Sequence, residues 1–302
     1  MKTNPDNDLM ITPEAAGVCG AVSYWRASGS VSIATMKAAW DAAGLDEKLF
    51  RKVPEPETAL RRAVLDLAKR VTVNDKTERR TLIRPQVEAS TWAVVEEIVQ
   101  EGETPTYKTL EIVSFVKDLG PHFFPADGTS AQTQQIAETV MARFSAQQGL
   151  FAPEDITGWL VSLAYKQGAV TLRDSGGVYF IPRPAMDFWN KAANAIQSVS
   201  DHKVFRIPAM RNDEAVAAII DAVTAEAEQE AQKINDEIMA GLGDRAIETR
   251  KTRIAELLAK VGSYEELVGQ KMKITERLES LQAAVATAKL IGSAPAEEAA
   301  TA

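Results

Sequence analysis

From Asn212 to about Leu290 the apolar residues recur at spacings of three and four. Val216, Ile220, Val223, Ala227, Ala231, Ile234 and Ile238 fall on one face of a helix, and Glu226, Glu228, Glu230, Asp236 and Glu237 fall largely off it. Asn212 is the expected N-cap, with Asp213 and Glu214 at the positive end of the helix dipole. Gly241-Leu242-Gly243 is a stop signal. The pattern resumes with Ile247, Ile254, Leu257 and Val261. Gly262 predicts a break, and Ser263 with Glu266 predicts a capping box that opens a third run carrying Leu267, Val268, Ile274, Leu278, Leu281 and Val285. Spacing this close to a heptad predicts an arm, 212–290, that folds back as an antiparallel helical hairpin or pairs with another copy as a coiled coil. Its candidate interaction residues are Val216, Ile220, Val223, Ile234, Ile254, Leu257, Leu278 and Leu281. Residues 291–302 form an acidic, small-residue tail expected to be disordered.

The upstream pattern is mixed. Ala21 to Arg26 reads as a strand between Gly20 and Gly29. Ser32 caps a predicted helix over 33–43, and Gly44 stops it. After the rigid Val53-Pro54-Glu55-Pro56 comes a helix predicted over 57–70, with Leu60, Val64, Leu67 and Ala68 on one face. Three segments rich in Val, Ile, Thr and aromatic residues follow, at 77–85, 90–101 and 106–115. Further helices are predicted over 129–148 and from Pro153 to Gly168. The sharpest local motif is a β-hairpin over 169–182, in which Gly176 and Gly177 supply the positive backbone angles of the turn. A helix over 185–199 and a strand over 203–208 lead into the arm. The expected class is α+β: two small helix-plus-β-hairpin, winged-helix-like modules, 1–120 and 121–211, followed by the helical arm.

Composition narrows the chemistry. A chain of 302 residues is long enough for two or three cores. Cys19 is the one cysteine, which excludes an intramolecular disulfide and a cysteine-based zinc site and fits a reducing cytoplasm. Met1 to Asp8 lack the apolar core of a signal peptide, and no apolar run is long enough to span a membrane. The two histidines, His122 and His202, stand apart without metal-ligand spacing. No phosphate-cradling GxxxxGK[ST] or GxGxxG is present, and no GxSxG nucleophile elbow. Ser175-Gly176-Gly177 is explained by the hairpin turn. If 90–101 is a strand, Glu96 and Glu97 point to opposite faces and cannot share a site. No cofactor, no metal and no catalytic residue is expected.

The net charge of −8 is unevenly spread, because the segment from Asn212 onward holds 10 Lys and Arg against 17 Asp and Glu. The opposite sign collects between Arg61 and Arg84, where eight basic residues face three acidic ones. Arg61, Arg62, Lys69, Arg70, Arg79, Arg80 and Arg84 are therefore a candidate nucleic-acid-binding patch, expected to set guanidinium groups against a phosphate backbone. The bland alternative is a solvated face. The patch has no interleaved aromatic residues in sequence, so it offers no stacking platform.

Three stretches, Glu57-Thr58-Ala59-Leu60-Arg61-Arg62-Ala63, Gly176-Gly177-Val178-Tyr179-Phe180-Ile181-Pro182 and the charged helical C-terminus, resemble uncharacterised proteins of this length from phages and their bacterial hosts. The resemblance implies a mobile-element origin and brings no activity with it. The expectation is a non-enzymatic, cytoplasmic interaction or assembly protein that binds a protein partner or itself through the arm. The alternative is a nucleic-acid-binding accessory factor working through the basic patch.

Overall fold

The computed structural model describes residues 17–74, 77–239 and 244–292. In chain order its elements are β1 (Val18–Arg26), β2 (Val31–Ser32), α1 (Ile33–Ala42), α2 (Pro56–Leu65), β3 (Lys69–Asn74), β4 (Thr77–Pro85), β5 (Thr91–Gln100), β6 (Thr106–Val116), β7 (Gly120–Pro125), α3 (Ala131–Gln147), β8 (Leu150–Phe151), α4 (Pro153–Lys166), β9 (Val170–Thr171), β10 (Tyr179–Pro182), α5 (Met186–Ser198), β11 (Lys203–Met210), α6 (Asp213–Met239), α7 (Asp244–Val268) and α8 (Ile274–Gly292). This is an α+β protein with antiparallel sheets. It divides into two compact units, Gly29–Ile156 and the combination of Met1–Ser28 with Thr157–Ala302.

In the unit Gly29–Ile156, helix α2 begins at Pro56, whose missing N–H costs nothing in the first turn. It ends at Leu65, with Asp66 as its C-cap, earlier than the apolar spacing predicts. Lys69 and Arg70 therefore lie on strand β3 and not on a helix. The run Arg70-Val71-Thr72-Val73 explains the difference, since β-branched residues favour a strand over another helical turn. The three expected strands are present as β4, β5 and β6, inside a longer meander of order β3-β4-β5-β6-β7. Ile83, Trp92, Val94, Val113, Phe115 and Phe123 alternate onto one face of it. There they pack with Leu60, Ala63 and Val64 of α2 and Ile136, Val140 and Phe144 of α3. Burial of Leu60, Val64, Val94, Val113 and Val140, all fully covered, is worth roughly 1.5–3 kcal/mol each. Ser130 and Thr133 close a reciprocal cap at the start of α3. The Asp155 carboxylate accepts from Arg51 at 2.7 Å, Arg62 at 2.8 Å and the Ala152 N–H at 2.9 Å.

The other unit is built on a four-stranded sheet of order β11-β1-β10-β9. Ala21 of β1 pairs with Ile181 on one side and Pro208 on the other. The predicted hairpin is β9–β10, with Tyr179 opposite Thr171 and with Gly176 and Gly177 at φ of +72° and +87°. On one face of the sheet the Trp189 indole donates to the buried Ser23 hydroxyl at 3.0 Å, and Trp25 stacks on Tyr179 at 4.9 Å. Gly20 is required where it stands, because a Cβ there would collide with the Ile181 carbonyl and the Phe180 ring.

The arm is three helices, α6, α7 and α8, each in contact with the other two. The predicted break at Gly262 is absent: α7 runs through it to Val268, and Ser263 donates its hydroxyl to the Lys260 carbonyl inside the helix. A single glycine costs a helix only about 1 kcal/mol, less than burial of Val261 and Tyr264 on either side returns. The chain turns instead at 269–273, where Gly269 has φ of +76°. The Glu265 carboxylate accepts there from the Met272 N–H, the Thr275 hydroxyl and Lys271, each at 2.7 Å. The Gly241-Leu242-Gly243 signal lies outside the described residues, as does the tail from 293 onward.

Candidate functional site: the open face of the meander

Cross-strand pairing, which sequence spacing does not reveal, decides which side chains of the five-stranded meander share a face. On the face opposite α2 and α3, Arg80 of β4, Glu97 of β5 and Tyr107 of β6 form one row. Leu82, Val95 and Thr109 form the next, and Arg84, Ala93, Ile112 and Phe124 a third. Thr91, Ser114 and His122 complete the surface at the far end, the first two joined hydroxyl to hydroxyl at 3.0 Å. Tyr107 is 60% exposed and Phe124 is 52% exposed. The face therefore has a strip of Leu82, Val95 and Ile112, all half-buried, between two accessible rings.

Charge on this face is largely cancelled. Arg80 donates to Glu97 at 3.3 Å and to Glu78 at 3.1 Å, and Glu97 is buried beneath it. The Glu97 carboxylate facing its hydroxyl holds the Tyr107 phenol above its ordinary pKa, with burial adding to the effect. Arg84 is exposed and makes no ion pair among the described residues. A β-bulge in β6, between the partners of Val94 and Val95, leaves Leu110 and Glu111 both buried. Neither Glu111 oxygen has a hydrogen-bond partner among the described residues, and burial raises its pKa.

The basic patch expected from sequence is dispersed. Arg80 and Arg84 share the open face, and the pairing of Arg70 with Arg80 puts position 70 at its edge. Lys69 pairs with Thr81 on the opposite side, where both line a cavity of about 210 Å³ under α3 with Asp66 and Arg143. Arg79 also falls on that side, with Glu96 at 3.8 Å. Arg62 is committed to Asp155, and Arg61 stands exposed on α2. Gly29–Ile156 as a whole holds 15 Lys and Arg against 19 Asp and Glu, so it presents no general positive field. Sequence reading missed Tyr107 and Phe124. The alternation along β6 and β7 was the available signal, but only the register joins it to Arg80 and Arg84.

The arm residues are used within the chain. Val223, Ile234, Ile254, Leu257, Leu278 and Leu281 are buried, and Val216 and Ile220 are partly buried, in one cluster with Cys19, Val170 and Phe180. Cys19 donates its thiol to the Ala209 carbonyl at 3.3 Å, and burial pushes its pKa up. His202 is 1% exposed, accepts at Nδ1 from the Ser28 N–H at 2.8 Å, and has its pKa lowered by burial. Among the described residues no three His, Cys, Asp or Glu side chains gather into a metal-binding group, and no helix is long and apolar enough to cross a membrane.

Residues 19–296 match the family of unknown function DUF6744, and the chain belongs to that family. No curated protein and no solved structure shows a match.

Proposed function

We propose that this member of the DUF6744 family is a binding protein that takes a protein partner on the open face of its meander, centred on Leu82, Val95, Ile112, Tyr107 and Phe124. The observation that carries this reading is the composition of that face: an apolar strip between two exposed rings, with the Arg80 guanidinium at one end already neutralised by Glu97 and Glu78. Protein-binding surfaces are enriched in Tyr, Phe and Arg and depleted in uncompensated charge at their centres. An intermolecular coiled coil through the arm has less support, because its stripe would have to leave an internal core.

One observation favours a second reading. Arg84 shares a cross-strand row with the exposed Phe124 ring, with Ala93 and Ile112 between them, so the face carries both a cation for phosphate contact and a ring for base stacking. A photoreactive phenylalanine analogue placed at Tyr107, and irradiated in the native host, separates the two. A discrete polypeptide adduct that disappears in the Ile112→Asp variant supports the protein reading. Nuclease-sensitive adducts support nucleic acid, and the absence of adducts from a folded variant rejects the face as a binding site.

A further inference from the structure

On the four-stranded sheet, β11 is the edge strand, and its sequence carries the marks of one. Pro208 has no N–H to give to a ladder, and Phe205, Ile207 and Met210 are 41%, 52% and 49% exposed. Register places three pairs side by side on a single face: Lys203 opposite Arg26, Phe205 opposite Tyr24, and Ile207 opposite Val22. The two middle rings stack at 4.7 Å. The first pair runs against the usual rule. Like charges directly opposite each other across strands are destabilising, and neither Lys203 nor Arg26 has an ion pair among the described residues. A sheet edge that keeps one such cation on β11 and another on β1, beside an exposed apolar stretch, is complementary to something that brings an anion and apolar groups together.

We propose that β11 is a docking edge for an extended acidic peptide segment, which adds as a fifth, antiparallel strand and presents two apolar residues and one acidic residue at alternate positions. Alternation follows from the strand period of two. The acidic side chain sits across from Lys203 and Arg26, and the apolar ones lie across from Phe205 and Ile207. Main-chain hydrogen bonds supply affinity at the outward groups of β11 that remain beside Pro208, which has no N–H, and Val204, whose N–H donates to the Gln197 side chain at 2.8 Å, and the cation pair supplies direction and selectivity. This surface is separate from the open face of the meander, and either assignment stands without the other.

The test uses the full chain and a fluorescein-labelled synthetic probe, Thr-Ile-Thr-Phe-Thr-Glu-Thr, followed by fluorescence anisotropy. The expected result is saturable binding that weakens by about tenfold or more when the probe's Glu is replaced by Lys. In the double variant Arg26→Glu, Lys203→Glu, both exposed positions, the preference reverses toward the Lys probe. Slowed amide exchange confined to β11 and β1 accompanies binding. Absence of saturation by the Glu probe at about 1 mM overturns the proposal. So does binding indifferent to both charge reversals, or a preference for an oligothymidine strand over the peptide.

Discussion

Tyr264 of α7 donates its hydroxyl to the carbonyl oxygen of Gly168 at 2.8 Å, fixing the helical arm to the turn that ends α4. One turn earlier the Lys260 ammonium donates to the Ala169 carbonyl at 2.9 Å and to the Glu226 carboxylate at 2.6 Å. Burial pushes the Tyr264 phenol far above its ordinary pKa, so this donor keeps its proton throughout the working range. Tyr264→Phe should cost about 1 kcal/mol, the worth of one buried hydrogen bond. Lys260→Met should cost more, about 2 kcal/mol, because Glu226 has a second oxygen that is already buried without a partner. Urea denaturation of both variants checks the order. Equal losses would show that the carboxylate is solvated after its cation leaves.

Glu265 organises the turn between α7 and α8. Burial acts to raise its pKa, but Lys271, the Met272 N–H and the Thr275 hydroxyl outweigh burial and hold it at about 2. A carboxylate with a folded pKa below its ordinary value stabilises the fold above that ordinary value, near 4.5, and loses the contribution as pH falls toward 2. Glu265→Gln should therefore cost about 1–3 kcal/mol at neutral pH and almost nothing near pH 2. Thermal unfolding of both proteins across that range measures the convergence.

Glu111 has the opposite sign. Its folded pKa is raised by burial, with no cation or hydrogen-bond donor among the described residues to offset the cost. Its contribution is best below the ordinary value of 4.5 and is lost as pH rises through the folded value. Glu111→Met, similar in length and uncharged, should stabilise the protein by about 1–3 kcal/mol at pH 7. The gain should shrink in acid. A loss of stability at pH 7 would mean that the carboxylate holds a partner in solution.

Asp155 gathers two guanidinium groups from distant parts of the sequence, Arg51 and Arg62, around a carboxylate that is 5% exposed. Burial acts to raise its pKa, and the Ala152 N–H and the two arginines together bring it below the ordinary value. Asp155→Ala leaves two half-buried cations facing each other and should cost about 3–5 kcal/mol. A double variant that also carries Arg51→Met should recover part of that loss, read as a rise in the unfolding midpoint over the single variant.

Local signals in the sequence were read well, and those that depend on partners were not. Ser32 before α1, Pro153 at the start of α4 and the two glycines of the β9–β10 turn are each decided within a few residues, and each stands where it was expected. The stripe of α6 was legible for the same reason, but what covers it was not, since Phe180 and Val170 come from a different part of the chain. Arg62 and Arg79 look alike in sequence. Only Asp155 and Glu96, far away in the chain, decide that one is committed to a buried carboxylate and the other is more exposed. The candidate face was half visible, with Arg80 and Arg84 named and Tyr107 and Phe124 missed.

The pairing of Ala21 with Ile181 and Pro208 also sets a schedule for synthesis. Strand β1 leaves the ribosome before Gly29–Ile156 and becomes an inner strand of its sheet, yet both of its neighbours are encoded after the whole of that unit. At ~5–20 residues per second the nascent strand waits roughly ten to thirty seconds with both edges open. During that wait Gly29–Ile156 has its full sequence and can close. The N-terminal strand of one unit is thus held in reserve while another unit folds, and an exposed, valine-bearing edge of this kind is the natural client of a chaperone at the exit tunnel.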